Sequence, residues 1–126
     1  MFLSESMFVL KLSDGADIFK ELEKLARDNQ IAYGLLVSSC GKIREFELIS
    51  HEQKGAIGRA KFDSAFELIA VSGKIELAKG VFSANLRISA TSTGFTPKAG
   101  QLVSGKAAGL LEIGVRKIEF GKMILA

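Results

Sequence analysis

Ten consecutive residues from Val81 to Ala90, VFSANLRISA, alternate without a break. Phe82, Ala84, Leu86, Ile88 and Ala90 are apolar, and Ser83, Asn85, Arg87 and Ser89 between them are polar. Successive side chains of a strand point to opposite faces, so the pattern predicts a strand with one buried and one open face. Such a strand needs a sheet around it. Its open row of Ser, Asn and Arg can hold a ligand, contact a partner or meet water. A chain of 126 residues, 48% hydrophobic and 25% charged, suits a single globular domain spanning residues 1–126. Nine Phe and no Trp point to a core of Phe and aliphatic side chains.

No stretch reaches the ~18 apolar residues that a membrane span requires. The opening MFLSESMFVLKLSDG has no basic leader ahead of a long apolar block. The single Cys40 has no partner for an internal disulfide, which fits a reducing compartment. A cytoplasmic domain without membrane contact is expected. Net charge is +3, from 17 basic and 14 acidic residues, and only Arg116 and Lys117 are adjacent among the basic ones. Dispersed, mild basicity of this kind reads as a solvated surface before it reads as a nucleic-acid face.

Along the chain, SMFVLKL predicts a first strand and SDGADIFKELEKLARDNQ a helix. Ser13 or Asp14 can cap that helix, Asp17 favours its first turn, and Ile18, Leu22, Leu25 and Ala26 recur at helical spacing. IAYGLLVSSCG is a nearly continuous apolar run, the mark of a strand buried on both faces, and KIREFELIS alternates as the next strand. His51 to Lys61, polar and glycine-bearing, reads as a loop. SAFELIAVSGKIEL is a long strand, broken or bulged at Gly73, and a turn at Lys79-Gly80 leads into the alternating strand. TSTGFTPKAG, with the only proline, reads as an exposed loop. After a short GQLVSG segment, AAGLLEIGV and RKIEFGKMIL read as two closing strands. The expected class is α+β: a large, mainly antiparallel sheet of about seven strands with one main helix packed on it. Several strands are apolar on both faces, more than one helix covers, so a homo-oligomer is expected.

Catalytic chemistry finds little to use. One His and one Cys, His51 and Cys40, cannot supply a zinc site of ordinary ligand number. His51 is the only possible base for an activated serine, and no G-x-S-x-G elbow is present. Ser72 and Ser104 precede glycines as turn residues do, and GKAAG at Gly105 to Gly109 lacks phosphate-loop spacing. Cys40 ends an apolar run and reads as a packed thiol. Glu67, Glu76 and Glu112 read as surface cross-strand partners of Lys or Arg. No enzyme and no cofactor is expected.

The succession DIFKELEKLARDNQIAYGLLVSSCGKIREFELI, FELIAVSGKIEL, the alternating strand, AGQLVSG and LLEIGV resembles the PPC domain over roughly residues 7 to 120. This plants-and-prokaryotes conserved domain occurs alone in bacteria and archaea and behind AT-hooks in plant nuclear proteins. The family's Ser-Gly-x-Gly turn stands here as Ser38-Ser39-Cys40-Gly41, without its first Gly. Its Phe-Glu-Ile strand stands as Phe66-Glu67-Leu68, a stretch implicated in partner contacts in plant members; their preceding Gly-Arg is Ser64-Ala65 here. Many prokaryotic members carry His-x-His on the alternating strand and a third His after Gly-Gly, together resembling a zinc site. Those positions correspond here to Ser83, Asn85 and Gln101, so the resemblance implies an open face without its metal.

By this resemblance the protein is a non-enzymatic trimer, a DNA-binding or transcription-associated assembly module. Prokaryotic members are described as DNA-binding largely by analogy with the plant proteins. The AT-hook core Arg-Gly-Arg-Pro is absent, Gly58-Arg59-Ala60-Lys61 being the nearest approach. In a trimer, Lys98, Lys106, Arg116 and Lys117 could form a ring of weak phosphate contacts. The alternative is a small-molecule binding protein in which Ser83, Asn85 and Gln101 line a site and Arg87 takes an anionic group. A hydrated strand face with no ligand is the third possibility.

Overall fold

Two strands are far longer than the mean strand of about five or six residues. The computed structural model describes residues 6–51, 55, 57–92, 94–119 and 124–125. Its elements are β1 (Met7–Leu12), α1 (Ile18–Asp28), β2 (Tyr33–His51), β3 (Ile57–Phe62), β4 (Phe66–Ala78), β5 (Val81–Thr91) and β6 (Lys98–Lys117). β2 runs 19 residues and β6 runs 20. At about 3.3 Å per residue each would reach about 60 Å if straight, so both must bend.

Bulges do the bending. β2 shifts register against β6 between Leu36 and Ser38, between Cys40 and Lys42, and between Arg44 and Glu47. Gly41 and Glu45 take positive φ of 131° and 48° within this stretch. The two strands expected over residues 31–50 are therefore one coiled strand. Every pairing in the sheet is antiparallel, in the order β1-β6-β5-β4-β2-β3, and a further pairing of β6 with β2 joins strands distant in that order. β6, β5, β4 and β2 thus close into a ring, with β1 and β3 as flanking edges. The α+β class holds, with six strands among the described residues in place of about seven.

Three expectations change. Residues 57–61, expected inside a loop, belong to β3, which pairs with β2 from Phe46↔Phe62 to His51↔Ile57. Lys98, Ala99 and Gly100, expected in an exposed loop, open β6, and GQLVSG and AAGLLEIGV continue it as one strand. Of the expected last strand, Arg116 and Lys117 finish β6; residues 120–123 and 126 lie outside the described residues. Gly58, Ala60 and Ala99 offer no apolar pattern of their own, and these segments are strands because neighbours pair with them.

Helix α1 lies against β6, β4 and β1 and buries Ile18, Leu22 and Ala26. Its N-cap is Asp17, whose side chain accepts from the Lys20 amide at 3.1 Å, not Ser13 or Asp14. The helix cannot start earlier because Gly15 and Ala16 are hydrogen-bonded to Ala107 of β6 at 2.8 and 2.9 Å. Asp14 instead accepts from the Gly109 amide at 2.8 Å. That hydrogen bond, helped by the charge of Arg44, holds the Asp14 carboxyl below the ordinary 3.8. Inside the ring, Phe46 stacks on Phe62 at 5.1 Å and meets Phe66 edge-on at 5.2 Å. Leu36, Ile43, Ile75, Leu86, Leu111, Ile113 and Val115 fill the remaining interior.

Gly73 shows how tightly β4 and β5 approach. Its φ is +122°, and a Cβ there would stand 1.9 Å from the Asn85 carbonyl oxygen. Gly80, at φ +78° in the β4–β5 turn, has open space around it. Gly80→Ala should lose about 1–2 kcal/mol, from backbone conformation alone. Gly73→Ala should lose about 3 kcal/mol or more, because a clash adds to the strain. Urea denaturation of both variants checks this, and equal losses would contradict the close approach. Asp14 gives a pH counterpart. A carboxyl with a lowered folded pKa adds stability above its unfolded pKa and loses it as pH falls through the folded value. Asp14→Asn should therefore shrink the difference between wild-type and variant melting temperatures as pH is lowered from 6 to 2.

Candidate functional site

On β5 the alternation is realised side chain by side chain. Leu86, Ile88 and Ala90 are buried, and Ser83, Asn85 and Arg87 are exposed. The pairing register divides the open face into two parts. In the first, Ser83 lies opposite Glu76 and Asn85 opposite Lys74 of β4. Lys74 Nζ is 2.9 Å from Glu76 Oε1 and 5.5 Å from the centre of the Tyr33 ring. The hydrogen bond to Glu76, together with the carboxylate's charge, raises the Lys74 pKa. This end of the face already has its charges paired.

The second part is different. Arg87 lies opposite Ser72 on β4 and opposite Gln101 on β6, and Gln101 lies opposite Ile49 of β2. Ring closure is what lets β6 touch both β5 and β2 at one residue. His51, two residues past Ile49 on the same face of β2, places Nε2 3.3 Å from Gln101 Oε1. A carbonyl oxygen only accepts, so the imidazole donates from Nε2, and both amide hydrogens of Gln101 remain unused by this contact. The end of β2 (Ile49 to His51), the start of β6 (Ala99 to Gln101) and Arg87 enclose an open hollow of about 450 Å³. The Arg87 side chain makes no hydrogen bond or ion pair among the described residues. A second hollow of about 210 Å³ lies beside Glu45 and Glu47, but those carboxylates already pair with Arg44, Lys106 and Arg59.

Of the residues expected on the ligand face, the structure brings Arg87 and Gln101 together. Asn85 stands one alternate position away along β5, and Ser83 stands two away, about 13 Å from Arg87. His51 and Ser50 join the site although the sequence does not point to them, because the stretch from His51 onward reads as a loop. A signal is present all the same: Glu47, Ile49 and His51 continue one parity of the KIREFELIS alternation. In the Phe66-Glu67-Leu68 stretch, Phe66 and Leu68 are core side chains and only Glu67 is exposed. The basic residues are spread along β6. Lys106 Nζ is 3.5 Å from Glu45, Lys117 donates to the Asn29 carbonyl at 3.2 Å, and Lys98 and Arg116 are exposed. Gly58 to Lys61, the nearest approach to an AT-hook, lies in β3 with Arg59 ion-paired to Glu47.

The residues at this site do not fit a zinc ion. Around Gln101 stand one imidazole, a carboxamide and a guanidinium, and a fixed positive charge opposes a cation. Among the described residues no three His, Cys, Asp or Glu side chains gather. The register also says which positions could rebuild such a site. A His-x-His pair level with Gln101 has to use Arg87, since Ser83 is out of reach. Arg87→His with Gln101→His, beside His51, should gain stoichiometric zinc by elemental analysis after dialysis. Ser83→His with Gln101→His should not, and zinc in that second variant would overturn the register.

Known proteins share this fold. The sequence profile of the Plants and Prokaryotes Conserved (PCC) domain, the PPC domain of the resemblance, matches residues 2–119. No curated protein sequence matches significantly. A PPC protein from Pyrococcus horikoshii has a similar fold, with TM-score 0.80, 15% identity, and coverage of 94% of this chain and 82% of that one. A metal-containing protein from Archaeoglobus fulgidus gives TM-score 0.79, 18% identity, and coverage of 93% and 82%. A "putative DNA-binding protein" from Bacteroides thetaiotaomicron gives TM-score 0.77, 19% identity, and coverage of 94% and 82%. With a profile matched across nearly its whole length and the six-stranded fold to go with it, the chain belongs to the plants and prokaryotes conserved domain family.

Proposed function

We propose that this protein is a non-enzymatic homotrimeric assembly module of the cytoplasm, associated with DNA or with transcription proteins. Family membership over residues 2–119 carries the reading. The trimer draws support from apolar side chains on the outer face of β1 and β6. Val9 is 58% exposed and Leu110 is 60% exposed, although both lie within strands. Val9 lies opposite Gly114, over which Met7 and Ser38 fold closely, and Leu110 lies four residues earlier on β6. Apolar strand residues left open in one chain are commonly covered by another copy. The non-enzymatic reading draws support from the lack of any nucleophile paired with a base among the described residues, since His51 makes its polar contact with an amide oxygen.

Support for DNA association is of a weaker kind. Two structural neighbours, from Bacteroides thetaiotaomicron and Ralstonia eutropha, carry DNA binding in their names. Lys98 and Arg116 have no ion pair among the described residues and supply free charge on each copy. Three copies would multiply these contacts, giving weak, sequence-tolerant and salt-sensitive binding. Glu67 is the part of the Phe66-Glu67-Leu68 stretch that a protein partner could reach.

Light scattering on a sizing column should give three times the 13.5 kDa of one chain. Leu110→Lys should shift the population toward monomer by placing a charge in the apolar contact. Anisotropy of labelled duplex DNA should show affinity falling log-linearly with salt. A monomeric wild type would remove the assembly reading, and no DNA binding at low salt would remove direct DNA contact while leaving protein partners.

A further inference from the structure

We infer that the hollow where β2, β5 and β6 meet binds a small anion-bearing molecule, a carboxylate or a phosphate, through Arg87 and Gln101. The site is built from three strands brought together by ring closure, and beside apolar Ile49 and Ala99 they place the donors of Arg87 and Gln101. Arg87 offers a planar fork of N–H groups suited to two oxygens of one anion. Its strand neighbours are Ser72 and Gln101, which are uncharged. Gln101 uses its oxygen on His51, so its amide hydrogens are available toward the same space. The described lining holds one guanidinium and one imidazole and no carboxylate. At about 450 Å³ the space suits a small metabolite.

Depth comes from small residues. Ala99 and Gly100 form the β6 side, and a Cβ on Gly100 would stand 2.8 Å from the Ile49 carbonyl oxygen. Glycine there lets β6 lie close against β2 while Arg87 and His51 rise on either side. The other end of the same β5 face has Lys74 satisfied by Glu76. Arg87 is the cation on this face whose charge no described side chain answers. This inference is independent of DNA association and of assembly state.

Since His51 is the only histidine, its imidazole C2–H gives one resolved proton NMR signal at the edge of the site. Inorganic phosphate and succinate are titrated separately at fixed pH, with sodium chloride holding ionic strength constant. A saturable shift of the His51 signal with at least one probe is expected, and the tighter probe identifies the headgroup class. Arg87→Gln should weaken that binding about tenfold or more, as loss of a charge-assisted hydrogen-bonding partner does. Its melting temperature should stay near wild type, because the Arg87 side chain has no hydrogen-bonding or ionic partner among the described residues. Arg116→Gln, at the far end of β6, should leave the titration unchanged. No saturable shift with either probe, an equal shift with chloride, or equal weakening by Arg116→Gln would each overturn the site.

Discussion

The pairing of β6 with β2 is the interaction on which the other features of this fold depend. Without it the sheet would be an open strip with β1 and β3 at its edges. With it, four strands form a ring whose interior holds Leu36, Leu48, Leu102 and Val115 in facing pairs. Two long strands are needed because each has to serve two partners. β6 meets β5 with its first residues, β1 with its last, and β2 along much of its length. Bulges and positive-φ residues in β2 supply the curvature that a closed sheet requires. The helix is then less a cover for a flat sheet than a plug, tied to β6 through Gly15, Ala16 and Asp14.

Closure explains both what the sequence discloses and what it hides. β5 is regular, buried on one face and open on the other, and its alternation can be read directly from Val81 to Ala90. The helix is legible for the same reason, its buried positions recurring every three or four residues. In β2 each bulge inverts the parity of the residues beyond it, so one strand reads as two. β3 pairs on one side only and shows little apolar pattern, so Gly58 to Lys61 read as loop. The beginning of β6 is small and polar, and its strand state comes from β5 and β2 on either side. These are contacts distant in sequence, and local propensity does not contain them.

The site divides the same way. Periodicity identifies which face of β5 is open, and the family resemblance identifies Gln101 as its companion. Neither says at what level β5 and β6 meet, because register is set by closure and turn geometry. A shift of two residues keeps every side chain on its face, so Ser83 and Arg87 look equivalent until the pairing is known. His51 is hidden because the polar, glycine-bearing residues beyond it read as a loop. The structure consequently replaces a row along one strand with a cluster across three: His51, Gln101 and Arg87.

That replacement changes the electrostatics of the face. A row of Ser83 and Asn85 is neutral and, beside the Lys74–Glu76 pair, has no net pull on a charged ligand. A cluster centred on Arg87 carries a full positive charge. Neutral imidazoles at this level would need a bound cation to present the same sign. The guanidinium presents it unaided, and its geometry selects for two coplanar oxygens of one anion. A face without metal ligands is therefore not a face without charge. The strand keeps its polarity and carries it on its own side chain.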